Sequence, residues 1–98
     1  MVNPLALAAT LQAARLSRTQ TRMLVLTELA RTGPVPRTAR DIHAVLRQGR
    51  VSLPFSTTHR VLQRFAEQGL VVAVATDPGG PAYHLSADLI PHLCRPDP

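Results

Sequence analysis

The sequence predicts a mainly helical domain, a winged helix-turn-helix of about four helices followed by a two-stranded β wing. Three observations predict it. In the run 54–69, PFSTTHRVLQRFAEQG, residues Thr58, Val61, Leu62, Phe65 and Ala66 recur at three- and four-residue intervals and so share one side of a helix. Three further segments with helical pattern precede that run. After Gly69 the period changes: residues 70–75 are apolar and rich in β-branched valine, a turn cluster Asp77-Pro78-Gly79-Gly80-Pro81 follows, and residues 82–85 can return as a second strand.

Each element has its own signals. Asn3 followed by Pro4 opens the first helix with a capping side chain and a proline at the first helical position. Strong helix formers then run to Leu16, with Leu7, Ala8, Leu11 and Ala14 as the buried stripe. Ser17 and Thr19 each offer a cap to the second helix, and Ser17-x-x-Gln20 has the spacing of a capping box. Met23, Leu26, Leu29 and Ala30 face inward along it, and Gly33-Pro34 ends it near Thr32. Val35 offers a residue or two of extended chain. Thr38 caps the third helix, with Asp41 at the acid position of a capping box. Ile42, Val45 and Leu46 carry its period, and Gly49 closes it. Pro54 keeps the residue before it out of the helical region, so the third and fourth helices stay separate. Ser56 is the expected cap of the fourth helix, and Gly69 suits the left-handed position past its end. The tail from Ser86 has no clear period.

These boundaries give one domain over 1–98: a first helix in 1–16, the second, third and fourth helices in 17–69, the wing in 70–85 and a tail in 86–98. Aromatics make up 3% of the chain, so the core must be aliphatic. The formal charge is +5, with every cation an arginine. Residues 1–76 hold ten arginines against Glu28, Asp41 and Glu67, and the remainder holds Arg95 against Asp77, Asp88 and Asp97. A basic body of this size attracts a polyanion, and nucleic acid is the commonest; the alternative is a merely solvated surface. A single cysteine excludes an internal disulfide and four-cysteine zinc frameworks. The chain has neither a membrane-length apolar run nor a basic leader, so a cytoplasmic protein with no membrane partner is expected.

Several segments resemble one family. Thr19-x-Thr21-Arg22-x-x-Val25-Leu26 is similar to the T-x-Q-R-x-x-V-L run of the ferric uptake regulator family. Residues 38–43, TARDIH, resemble its S-A-E-E-I-Y helix opening, and Ser56-Thr57-Thr58-His59-Arg60-Val61-Leu62 resembles its A-T-V-Y-R-x-L motif. Glu67-Gln68-Gly69-Leu70-Val71 is similar to its E-x-G-L-V exit, and Gly79, Tyr83 and Leu85 fall on its G-x-x-x-Y-x-L wing pattern. The resemblance implies an N-terminal winged helix of a metal-responsive repressor, in a chain that lacks the C-terminal dimerisation domain. It departs from the family at His59, which replaces a tyrosine, and at Pro91-His92-Leu93-Cys94, which thins the family's histidine-rich segment.

The outer face of the fourth helix, over residues 56–69, holds Thr57, His59, Arg60, Gln63 and Arg64 with one acid, Glu67. Short hydroxyls and guanidiniums there suit the major groove of double-stranded DNA, where arginine can hold guanine O6 and N7 or a phosphate. Arg18 and Arg22, and Arg37 and Arg40, near the starts of the second and third helices, are expected phosphate contacts. The expected DNA-binding set is therefore Thr57, His59, Arg60, Arg64, Arg18, Arg22, Arg37 and Arg40. His84, His92 and Cys94 are weak candidates for zinc or another divalent metal, in a spacing that matches no closed structural site. No nucleophile motif, carboxylate pair or phosphate-cradling glycine loop appears, so no enzyme is expected. The chain reads as a DNA-binding transcriptional regulator, possible as a homodimer. The alternative is a winged-helix protein–protein interaction module without sequence-specific DNA binding.

Overall fold

A computed structural model describes residues 3–76 and 80–93. Its elements run α1 (Pro4–Ala13), α2 (Gln20–Thr32), β1 (Arg37–Thr38), α3 (Ala39–Gln48), α4 (Phe55–Glu67), β2 (Val71–Thr76), β3 (Gly80–Leu85) and α5 (Ile90–Leu93). The winged-helix arrangement is present. Two elements go beyond the expectation, β1 and α5.

Asn3 caps α1 by accepting from the Leu5 amide at 2.9 Å. The helix ends at Ala13 and not at Leu16, because Arg15 takes a left-handed φ of 60° and the Leu16 amide returns to the Leu11 carbonyl at 2.9 Å. That reversal turns Leu16 inward, 5% exposed, beside the buried Leu7 and Leu11. Thr19 alone caps α2, accepting from the Arg22 amide at 3.2 Å. Ser17 lies one turn too early to cap, and instead receives Arg22 Nη1 on both its carbonyl and its hydroxyl, each at 2.8 Å. The inner face of α2 is Val25, Leu26, Leu29 and Ala30, together with the carboxylate of Glu28; Met23 is only partly buried.

The extended residues expected near Val35 lie two positions later, where Arg37 and Thr38 pair with Tyr83 and Ala82. The wing is thus an antiparallel three-stranded sheet in the order β1-β3-β2, not a bare hairpin. β2 and β3 pair from Val71↔Leu85 to Thr76↔Gly80, so β2 keeps its expected length but lies one residue later, and β3 is two residues longer than expected. Thr76 Oγ1 donates to the Gly80 carbonyl across the mouth of the turn. Residues 77–79 of the expected turn cluster lie outside the described residues.

The α3 capping box is complete: Thr38 Oγ1 accepts from the Asp41 amide, and Asp41 Oδ2 accepts from the Thr38 amide. Ser56 does not cap α4, which starts one residue earlier, so its N-cap is Pro54 and no side chain caps it. Gly69 does take the left-handed conformation, φ 78°, and lets the Leu70 amide close onto the Phe65 carbonyl at 2.9 Å. α4 buries Thr58, Leu62 and Phe65 against α2 and α3, which leaves the opposite side of the helix outward. Past Ser86 the tail turns into α5, which packs on α1 and seats Leu93 in the core at 1% exposure.

Candidate nucleic-acid interface

Every buried side chain of α4 lies on one side, so Ser56, Arg60, Gln63 and Arg64 face solvent. Arg64 Nη1 sits 3.2 Å from Glu67 Oε2, with side chains 51% and 64% exposed. Such a pair in water is weak and leaves the guanidinium free to exchange partners. Arg60 has no ion-pair partner among the described residues. Beside this face a recess of about 230 Å³ is lined by Arg22, Thr57, Arg60, Val61 and Arg64. α2 contributes Arg22, held in place by its two bonds to Ser17, and α4 contributes the rest. Three guanidiniums around one recess, with no acid on its wall, form a site for phosphate or for the acceptor edge of a base.

Four of the eight residues expected to meet DNA therefore come together: Thr57, Arg60, Arg64 and Arg22. His59 lies on the other flank of α4. Its ring stacks on Phe55, centroids 6.1 Å apart at 19°, and Phe55 in turn meets His43 edge-on at 5.6 Å. Arg18, in the turn between α1 and α2, and Arg40, at the start of α3, are exposed and unpaired among the described residues.

Arg37 corrects the expectation. Its side chain is 12% exposed, and Nη1 lies 2.6 Å from Glu28 Oε1, inside the fold. Arg31 meets the same carboxylate at 2.7 Å. Burial pushes the Glu28 carboxyl up, but the hydrogen bonds from Arg31 and Arg37, with their charges, outweigh it and hold it below the ordinary 4.5. Arg37 joins α2 to β1 and is not presented to a phosphate.

Sequence reasoning did not single out Phe55, Arg47 or Arg50. Phe55 is a large apolar side chain left 41% exposed at the first position of α4. With His43, Arg47 and Arg50 it lines a second recess, of about 560 Å³, at the turn between α3 and α4. The signal available was the pair of arginines bracketing Gly49.

Of the weak metal candidates, two lie among the described residues. His84 Nδ1 lies 2.9 Å from the Leu85 carbonyl, His92 lines an apolar groove between α1 and α5, and Cys94 lies outside the described residues. No three His, Cys, Asp or Glu side chains converge on a metal position among the described residues. Nor is any described helix long and apolar enough to cross a membrane.

Fold and surface together define a winged helix-turn-helix of the regulator type. The chain belongs to the ferric uptake regulator family, which it matches over residues 13–95. Among solved structures it is similar to the ferric uptake regulator of Vibrio cholerae, with a TM-score of 0.77 and 24% identity over 82% of this chain and 61% of that one. That protein's structure is described in terms of a rearrangement of its DNA-binding domains. It is also similar to the manganese-bound ferric uptake regulator of Pseudomonas aeruginosa, with a TM-score of 0.76 and 28% identity over 82% and 60%. The Helicobacter pylori regulator, described with three functional metal-binding sites, shares the fold at a TM-score of 0.67 and 21% identity over 83% and 53%. The chain thus spans at most 61% of the length of these regulators. No curated protein matches it by sequence search.

Proposed function

We propose that this chain is the DNA-binding part of a transcriptional regulator, with α4 seated in the major groove of double-stranded DNA. The observation that carries this reading is the recess shared by Arg22, Arg60 and Arg64 next to an outward α4 face. Arg60 is the base reader, able to hold guanine O6 and N7 through two parallel N–H donors, and Thr57 sits beside it in the helix's first turn. Arg22 and Arg64 hold phosphates and fix the register of the helix on the duplex. Arg18 and Arg40 add sequence-independent attraction from the neighbouring turns. His59, stacked on Phe55, offers a ring N–H to a base acceptor or phosphate where the family has a tyrosine.

A single recognition helix reads few base pairs, so two copies acting on paired half-sites suit this reading. The described residues do not fit a metal centre, and the reading needs no metal. Function as a cytoplasmic repressor follows the family. A protein-interaction role would call for apolar side chains on the α4 face; Ser56, Arg60, Gln63 and Arg64 are all polar.

The test is Arg60→Ala in a binding assay against a selected duplex and a scrambled one. Loss of about 1–3 kcal/mol on the selected duplex alone is expected for a base reader. Equal loss on both would move Arg60 to a phosphate. No loss on either would remove α4 from the interface.

A further inference from the structure

The recess at the turn between α3 and α4 is lined by His43, Arg47, Arg50, Val51, Ser52, Leu53, Pro54 and Phe55, none of them acidic. His43 Nε2 is held 2.8 Å from the Leu53 carbonyl, which ties α3 to the turn and fixes the wall. Arg47 and Arg50 are exposed and have no ion-pair partner among the described residues. Arg50 also sits in a left-handed conformation, φ 63°, while the neighbouring Gly49 keeps an ordinary φ of −80°. A left-handed conformation is unfavourable for a residue with a Cβ and not for glycine, so glycine at that position would relieve it. Arg15 at the end of α1 shares this conformation, φ 60°, without lining either arginine recess, so it is the place of Arg50 on the recess wall, and not its φ, that points to a ligand.

Its place around α4 indicates the ligand. At ~100° per residue, Phe55 and His59 lie on one flank of the outward face. Thr57, Val61 and Arg64 lie on the other, with Ser56, Arg60 and Gln63 between them. The first flank borders the Arg47–Arg50 recess, and the second borders the Arg22–Arg60–Arg64 recess. A major groove presents bases along its floor and a phosphate row on each side, so a face with a cationic recess on both flanks matches it in charge and in layout.

We propose that Arg47 and Arg50 form a second phosphate site, holding the DNA strand across the groove from the one held by Arg22 and Arg64, with Phe55 packed against the sugar between. The inference rests on α4 lying in the groove. The experiment measures duplex affinity from low to physiological salt for the wild type, Arg47→Ala, Arg50→Gly and Arg60→Ala, with thermal unfolding of each. Arg50→Gly relieves the left-handed strain, so it should unfold at the same temperature as the wild type or higher. Each of the two recess variants should nonetheless bind several-fold more weakly on every duplex, with a salt slope shallower by about one. A wild type that binds duplex while both recess variants keep its affinity and slope overturns the second site alone. Recess variants that weaken binding, with an Arg60→Ala that weakens it equally on every duplex, overturn base reading by Arg60 and spare this site. A wild type that binds no duplex overturns both.

Discussion

Thr58 carries a buried hydroxyl with no hydrogen-bond partner among the described residues, on the inner face of α4. It is fully buried between Leu62 and the core, where desolvating an oxygen without replacing its bond to water is a net cost. Thr58→Val keeps the shape and removes the orphan, so it should stabilise the fold by about 1–2 kcal/mol. Thermal unfolding should rise by several degrees, with DNA affinity unchanged because the side chain points away from the groove. Glu28 is the opposite case, a buried charge that is fully engaged. Its carboxyl is held below the ordinary 4.5 by Arg31 and Arg37, so its stabilising contribution is present above that value and is lost as pH falls through the lowered one. Glu28→Gln should therefore be less stable at neutral pH and show a flatter loss of stability on acidification. Equal acid profiles for the two proteins would mean that the triad contributes nothing. Arg37→Met should cost about 1–3 kcal/mol, since it leaves Glu28 with Arg31 alone. Sequence could not show that Arg37 turns inward; arginines on a basic chain look alike until a partner nine residues away is brought against one of them.

At the scale of elements, the strongly periodic stretches were legible and the short ones were not. α2, α3 and α4 each combine a period with a stop signal, and the Thr38–Asp41 box and Gly69 do what their residue types imply. β1 is two residues long and α5 four, lengths at which no period can be read. Helix ends were legible where glycine marked the place, as at Gly33, Gly49 and Gly69; α1 has none, and Arg15 there takes a left-handed conformation that such a side chain usually avoids. The family resemblance lies largely in residues that build the fold. Thr19 and Thr38 are caps, Val25, Leu26, Tyr83 and Leu85 are core, and among the matched positions Arg22, Thr57 and Arg60 line the interface recess. That explains why the fold followed from the motifs, while geometry was needed to show which of the eight expected residues share one recess. α5 matters more than its length suggests, because Leu93 fills a place in the core beside α1. Leu93→Ala should cost about 2–4 kcal/mol, read as a lowered urea midpoint with an unchanged slope.

Across the whole molecule, charge is arranged rather than merely abundant. Both recesses that border the outward face of α4 are arginine-lined, and Glu28, the one described acid that is buried, is neutralised internally. Of the described exposed acids, Glu67 alone shares the α4 surface, near its far end. A duplex laid along α4 would therefore meet guanidiniums on both sides of the groove and little repulsion. α2, α3 and β2 pack against that helix and hold it in place. Among all measurements, the salt dependence of duplex binding tests this arrangement most directly. With about five phosphates neutralised, the logarithm of the binding constant should fall against the logarithm of salt concentration with a slope of about −4 to −5. A slope near zero, or binding that fails to appear at low salt, would contradict the assignment of the α4 face to DNA.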